Sequence, residues 1–200
     1  MPDARLLLAS ASPRRAEMLT ALGIRFRVAP SGIPEDLLPG ENAVAAARRL
    51  ARTKALDAAR STDLPVLAAD TLVFLEGTVF GKPADAADAR RMLAALSGRS
   101  HSVVTAVALV AGGRVHERAG VSSVRFAPMT DAEIAWYASS GEPMDKAGAY
   151  AIQGAGARFI ESIEGSPSNV IGLPARAVYE LLREAGLDDL ALPALPGNAR

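Results

Sequence analysis

The chain of 200 residues has no cysteine and only two histidines. Without cysteine it can form no disulfide and perform no thiol chemistry, which agrees with the cytoplasmic location that we expect. Two histidines without cysteine also exclude an ordinary zinc site. Any metal should therefore be a hard divalent cation held by carboxylates, such as Mg²⁺ or Mn²⁺.

The chain also has no formal net charge and few aromatic residues. Lys plus Arg and Asp plus Glu both number 22, so the formal net charge is zero, and aromatic residues make up 4%. A general nucleic-acid binder is normally basic and offers aromatic stacking platforms, so we expect no nucleic-acid partner. The hydrophobic runs at 66–75 and 103–111 are too short to span a bilayer, and we expect no membrane partner.

Apolar runs that alternate with helical patterns predict an α/β fold. The first run, "RLLLAS", predicts a strand over about 5–9, followed by a helix over about 13–22. Residues 65–75, "PVLAADTLVFL", predict a central strand. No repeat and no long linker interrupts the pattern, so residues 1–187 are predicted to form one α/β domain. The proline-rich segment 188–200 is predicted to be a flexible tail.

Local signals mark several other element ends. Asn42 is predicted to cap a helix that ends near Arg60, and Thr130 with Glu133 has the spacing of a capping box. A hairpin is predicted around the glycine pair at 112–113. The stretches "GAYAIQG" and "RFIESIEG" are both predicted to be short strands.

The segment "SASPRR", residues 10–15, combines a helix start with two cations. Ser12 and Pro13 favour the beginning of a helix, and Arg14 and Arg15 then fall in its first turn. The positive end of the helix dipole disfavours cations there, unless an anion such as a polyphosphate binds. From the residues alone, a phosphate site and two solvent-exposed arginines remain equally good interpretations.

Asp70 interrupts the apolar run of the central strand. A buried carboxylate must be paired, hydrogen-bonded or bound to a metal, whereas an aspartate at a strand end would cap a turn. Lys82 lies twelve residues further on, across a predicted hairpin, and would be either a partner of this site or an ordinary surface lysine.

The glycine-rich region 140–174 reads as either a loop-built pocket rim or a plain loop. Its polar residues Asp145, Lys146, Gln153 and Asn169 lie among small residues, as in such a rim. The amide of Gln153 both donates and accepts hydrogen bonds and so could recognise the edge of a base. Taken alone, Glu35, Glu41 and Lys54 are typical of a solvated surface.

Five motifs together resemble one family. The motifs are "LASASPRRAEML", "AADTLVF…GKP", "ML..LSGRSHSVVTAV", "GEPMDKAGAYAIQG" and "I.GSPSNVIGLP". In this order and spacing, from Leu6 to about Leu182, the chain resembles the Maf family of nucleoside triphosphate pyrophosphatases. The resemblance implies an elongated mixed sheet flanked by helices, similar to inosine-triphosphate pyrophosphatases, with a cleft between two lobes. It also implies hydrolysis of a nucleoside triphosphate to the monophosphate and pyrophosphate with a divalent cation, and it allows a homodimer.

The resemblance also assigns roles to individual residues. Asp70 corresponds to the presumed general base and, with Glu35, would hold the metal. The residues implied to bind substrate are Ser10, Ser12, Arg14, Arg15, Lys54 and Lys82. Pro34 is a departure, because an acidic residue is common before Glu35 in the family.

Three positions are implied to set selectivity. Thr71 after Asp70, and Gln153 in the late motif, resemble the family branch that acts on dTTP and UTP rather than on 7-methyl-GTP. Arg14 is the third position.

The alternative to an enzyme is a non-catalytic nucleotide-binding regulator linked to cell division and septum formation.

Overall fold

The computed structural model describes residues 4–193. Helices and strands alternate along most of this range, as the sequence predicts. The strands are β1 (Leu6–Leu8), β2 (Phe26–Val28), β3 (Val66–Leu75), β4 (Thr78–Phe80), β5 (Ser100–Ala111), β6 (Arg114–Phe126) and β7 (Ile160–Glu164). The helices are α1 (Pro13–Ala21), α2 (Ala43–Ala59), α3 (Ala86–Leu96), α4 (Asp131–Ser139), α5 (Pro167–Ile171), α6 (Ala175–Glu184) and α7 (Asp188–Ala191).

The strands form one mixed sheet in the order β2-β1-β3-β5-β6-β7, with β4 paired to β3. β1 runs parallel to both β2 and β3, while β4 and β7 are antiparallel to their partners. A tight turn at Gly112 and Gly113, both at positive φ, joins β5 to β6. The mixed sheet with its helices confirms the predicted α/β class.

The predicted helix caps at α2 and α4 are confirmed. Asn42 Oδ1 accepts from the Ala45 N–H at 2.9 Å, and Thr130 and Glu133 form the reciprocal capping box. Ser12 differs: it occupies the N-cap position of α1, but its side chain makes no capping bond. The fixed φ of Pro13 is therefore the local feature that favours the helix start there.

The described chain divides into two compact units. The first unit contains the residues up to Asp70, 105–120 and those from Gly172 onward; the second contains 71–104 and 121–171. Each unit has a hydrophobic core of its own. In the first unit the apolar faces of β1, α1 and α6 meet, whereas in the second α3 and α4 pack with the adjoining parts of β3, β5 and β6.

The strand predicted for "GAYAIQG" is wrong. A 3-10 turn covers Ala147–Ala149, and the following residues up to Gly154 are irregular. Gly148 has a φ of +73°, and a Cβ at this position would lie 3.0 Å from the Val73 side chain. A strand cannot follow this path, because left-handed backbone breaks the extended conformation.

The segment predicted to be a tail begins with α7, which the sequence patterns did not predict. Leu190 of this helix is 4% exposed and packs in the core of the first unit. The rest of that prediction, 194–200, lies outside the described residues. Among residues 4–193, none of the helices is long and apolar enough to cross a membrane.

Candidate active site

Asp70 lies in the middle of β3 and is 5% exposed. Its Oδ1 accepts a hydrogen bond from Lys54 Nζ at 2.6 Å, which confirms that this buried carboxylate is paired. The alternative, a turn-capping aspartate at a strand end, is wrong. Burial raises the pKa of Asp70, and the ammonium of Lys54 and the guanidinium of Arg15 oppose that rise.

Lys54 is itself buried, at 6% exposure, so its interpretation as solvated surface is wrong. It lies on the face of α2 that packs into the first unit, where Leu50 and Ala51 are fully buried. Its Nζ also donates to Glu35 Oε1 at 2.5 Å. The ammonium group of Lys54 therefore lies between two carboxylates, one buried and one half-exposed.

The turn between β1 and α1 is organised around Ser10. Its Oγ accepts from the Ser12 N–H at 3.2 Å and from Arg15 Nη1 at 3.0 Å. Arg15 Nε donates to the Gly172 carbonyl at 2.8 Å, so this guanidinium is held inside the protein rather than extended into solvent. The solvent-exposed interpretation is therefore wrong for Arg15.

The charges around Arg15 explain how a guanidinium can occupy the first turn of a helix. Burial lowers the pKa of Arg15, and the negative charges of Asp70 and Glu35 oppose this effect. The nearby positive charge of Arg14 lowers it further. Acidic groups thus compensate part of the repulsion from the helix dipole and from the neighbouring arginine.

A second charged pair fixes the loop that carries Glu35. Arg49 donates from Nε to Glu41 Oε1 and from Nη2 to Glu41 Oε2, both at 2.7 Å, and Nη2 also donates to the Asp36 carbonyl at 2.9 Å. The Glu41 side chain is only 11% exposed, so it is not the solvated residue that its type suggests. Glu35 reaches Lys54 although Pro34 precedes it.

Glu35 and Asp70 are the two residues predicted to hold a metal ion. Among residues 4–193, no group of three or more His, Cys, Asp or Glu side chains could hold an ion. Magnesium, however, is often bound through one or two carboxylates together with substrate phosphates. The two carboxylates therefore suit a cation that arrives with a triphosphate, and an all-protein metal cage is not present in the described part.

The other predicted site residues belong to the second unit. Thr71 follows Asp70 in β3, and Lys82 follows β4, whose antiparallel register sets Phe80 opposite Val73 and leads back along β3 toward Thr71. Gln153 is exposed in the irregular segment before the 3-10 turn Ala155–Phe159. Asn169 does not form a pocket rim, because it is 1% exposed and its Nδ2 donates to the Val103 carbonyl and to Ser122 Oγ.

Residues that the sequence patterns did not single out hold the segment around Gln153. Tyr137 Oη donates to Glu142 Oε1 at 2.7 Å and accepts from the Ala151 N–H at 3.1 Å. The same carboxylate accepts from two further backbone N–H groups, those of Ala155 and Gly156. In the sequence this region shows only an acidic residue followed by several glycines. That pattern does not predict that Glu142 pairs with Tyr137 and with the backbone of the later segment.

Solved structures match this chain at low sequence identity. A solved nucleoside-triphosphatase / dITP/XTP pyrophosphatase from Mycobacterium abscessus is 17% identical, with a TM-score of 0.42 over 96% of this chain and 97% of that one. A HAM1 protein from Coxiella burnetii is 20% identical, with a TM-score of 0.47 over 94% and 96% of the two chains.

Relatives in sequence are much more similar. A dTTP/UTP pyrophosphatase from Anaeromyxobacter sp. (strain Fw109-5) is 55% identical over 91% of this chain and 90% of its own length. A protein of the same name from Chromobacterium violaceum is 48% identical over 93% and 97%. The family model described as Maf-like protein matches residues 5–185. The chain therefore belongs to the Maf family.

Proposed function

We propose that this protein is a nucleoside triphosphate pyrophosphatase that hydrolyses dTTP and UTP to the monophosphate and pyrophosphate. Relatives that are 46–55% identical carry the name dTTP/UTP pyrophosphatase. The observation that carries the proposal is the buried Asp70–Lys54 pair, joined by Glu35 and adjacent to the charge of Arg15. Burying several charges lowers the stability of the folded protein. A catalytic role therefore explains this cluster better than a structural role does.

In this mechanism Asp70 orients a water molecule and takes its proton as the water attacks the α-phosphorus. The hydrogen bond from Lys54 fixes the orientation of the carboxylate before substrate arrives. The phosphoanhydride bond to the leaving pyrophosphate breaks, and no covalent enzyme intermediate is needed. This agrees with a chain that has no cysteine.

The turn between β1 and α1 would bind the triphosphate. Ser10, Ser12, Arg14 and Arg15 line this turn, and the contacts of Arg15 with Ser10 and Gly172 hold its guanidinium in place in advance. A preorganised cation stabilises the charge that develops on the departing pyrophosphate more effectively than a mobile one. We assign Lys54 and Lys82 the same electrostatic role.

Glu35 and Asp70 would hold the Mg²⁺ or Mn²⁺ ion together with phosphate oxygens of the substrate. When bound, such an ion neutralises phosphate charge and makes the α-phosphorus more open to attack. Selectivity for thymine and uracil is assigned to Arg14, Thr71 and Gln153. The amide of Gln153 can donate to a base carbonyl and accept from the base N–H. A homodimer remains a prediction from the family resemblance.

The test compares Asp70→Asn with the wild-type protein. Removal of the base should lower kcat for dTTP by at least about 100-fold, while dTTP binding measured by calorimetry changes little. Asp63→Asn makes the same chemical change at an exposed position just before β3 and should keep full activity. Near-wild-type turnover by Asp70→Asn would remove Asp70 from the base role.

The product and the nucleotide panel test the reaction itself. With Mg²⁺ present, dTTP and UTP should release pyrophosphate faster than CTP and 7-methyl-GTP do. Release of orthophosphate would contradict the position of cleavage. No release from any nucleotide would favour the non-catalytic regulator.

A further inference from the structure

The carboxylate of Glu142 accepts three hydrogen bonds, one from a side chain on α4 and two from neighbouring backbone N–H groups. Its Oε1 accepts from Tyr137 Oη at 2.7 Å and from the Gly156 N–H at 3.0 Å, and its Oε2 accepts from the Ala155 N–H at 2.9 Å. Tyr137 is fully buried on α4, and its hydroxyl also accepts from the Ala151 N–H. Two side chains thus hold both ends of residues 151–156.

The backbone of this segment approaches the two side chains so closely that only glycine fits. A Cβ at Gly154 would lie 2.6 Å from Glu142 Oε2, and the φ of Gly154 is +131°. A Cβ at Gly156 would collide with Tyr137 Oη. The backbone of this segment therefore lies directly against the side chains of Tyr137 and Glu142.

The charges nearby favour the ionised carboxylate of Glu142. Burial opposes ionisation, but the hydrogen bonds from Tyr137 and the two backbone N–H groups, with the positive charge of Lys146, hold its pKa below the usual value. Lys146 Nζ also donates to the Glu142 carbonyl at 2.6 Å. Hydrogen bonds to an ionised acceptor are stronger than neutral ones, so this arrangement holds the segment firmly.

Gln153 lies at the centre of the segment, two residues after Ala151 and two before Ala155. We propose that Tyr137 and Glu142 are positioning residues that hold residues 151–156 so that Gln153 meets the edge of a thymine or uracil base. This inference rests on the proposed function, because it takes Gln153 as the residue that reads the base. Neither side chain needs to touch the nucleotide.

Glu142→Gln and Tyr137→Phe remove this support with little change in shape. A carboxamide has one acceptor oxygen, so its NH₂ group must face at least one backbone N–H that the carboxylate accepts from. Phenylalanine removes the hydroxyl that joins Ala151 to Glu142. The matched controls are Glu161→Gln on β7, at an exposed ion pair, and Tyr179→Phe on α6.

The readout is the ratio of kcat/KM for dTTP to that for CTP. We expect either variant to lower this ratio about tenfold, mainly by raising KM for dTTP, with kcat at saturation changed less than about threefold. In a Gln153→Ala background the same variants should change the ratio by less than about twofold, because the base contact is already lost. The two controls should keep the wild-type ratio.

Hydrogen exchange supplies a readout that does not depend on activity. The amides of Ala151, Ala155 and Gly156 should exchange faster in Glu142→Gln, while those of α3 and β5 keep their protection. An unchanged ratio in an active Glu142→Gln protein, or equal and additive losses in the Gln153→Ala background, would overturn the inference alone. A wild-type protein that releases no pyrophosphate overturns the proposed function, and the inference with it.

Discussion

Lys54 carries its charge on a helix face that is otherwise packed into the core of the first unit. The side chains of Lys54 and Asp70 are each 7% exposed, so solvent can compensate little of the charge if one partner is removed. Glu35, whose side chain is 49% exposed, lies where this pair opens toward solvent. Removing one member of a buried pair costs more than removing both, because the remaining charge stays desolvated.

Lys54→Met should therefore lower the free energy of unfolding by about 3 kcal/mol at neutral pH. The double variant Lys54→Met/Asp70→Asn should recover part of this loss, because it also removes the buried carboxylate that Lys54→Met leaves without its ammonium partner. Denaturant unfolding of the two variants and the wild type measures the difference.

The control for this prediction is Arg91→Met, at the exposed pair with Asp88. This change should cost less than about 1 kcal/mol, as surface ion pairs usually do. A double variant that loses the full sum of the two single changes would contradict the interpretation of Lys54 and Asp70 as a coupled pair.

At the scale of elements, the loop between β2 and α2 shows how a site residue is held by the helix that follows it. Glu35 has no helix or strand around it, but Arg49 on α2 binds Glu41 with two hydrogen bonds and the Asp36 carbonyl with a third. Glu41 Oε2 also accepts from the Leu38 N–H at 3.3 Å. The loop is thereby fixed on the same helix that supplies Lys54.

Arg49→Gln should lower kcat/KM for dTTP about tenfold, because Glu35 loses its fixed position, with a stability change of less than about 1 kcal/mol. Arg49→Lys should rescue little, since an ammonium cannot form the paired bonds of a guanidinium. Steady-state kinetics and thermal unfolding measure the two effects.

Arg48→Gln removes the neighbouring exposed arginine and should leave kcat/KM unchanged. Equal losses in Arg48→Gln and Arg49→Gln would show that total positive charge matters, rather than the loop contact.

At the scale of the whole molecule, each unit has its own core, and the core of the second includes a histidine. His101 on β5 is 2% exposed, and its Nε2 lies 2.8 Å from Tyr150 Oη. Its ring meets Phe126 and Tyr150 edge-on, at 5.1 and 5.2 Å between ring centroids. Burial lowers the pKa of His101 to about 4.

The unfolded chain therefore binds a proton below pH 6.5 that the folded chain does not bind until about pH 4. Stability should fall as pH drops through this window, by about 2 kcal/mol between pH 7 and pH 5. His101→Gln can still hydrogen-bond Tyr150 but cannot titrate, so it should lose this part of the pH dependence. Urea unfolding at several pH values measures it.

Tyr150→Phe keeps the buried histidine and should keep the wild-type dependence on pH. The same slope in His101→Gln as in the wild type would assign the acid sensitivity to other groups.

The sequence by itself determined the features that depend on neighbouring residues. Asn42, and Thr130 with Glu133, lie beside the backbone groups that they cap, so their roles were readable from spacing. The central strand and the need of Asp70 for a partner followed from one carboxylate in an apolar run. The strand predicted for the late motif is wrong, because the positive φ values of Gly148 and Gly154 break the extended backbone without leaving a periodic pattern in the sequence.

Only the tertiary structure decided which distant residues meet. The sequence pattern around Lys54 is typical of a solvated lysine. Its Nζ is buried because it donates to Asp70, sixteen residues away, and to Glu35, nineteen residues away, and no local pattern predicts these contacts. The sequence does not decide whether Arg15 extends into solvent. In the structure its guanidinium is held by Ser10 and by the carbonyl of Gly172, which lies 157 residues along the chain. Charge burial is affordable only where opposite charges converge, and that convergence is a property of the fold rather than of any segment.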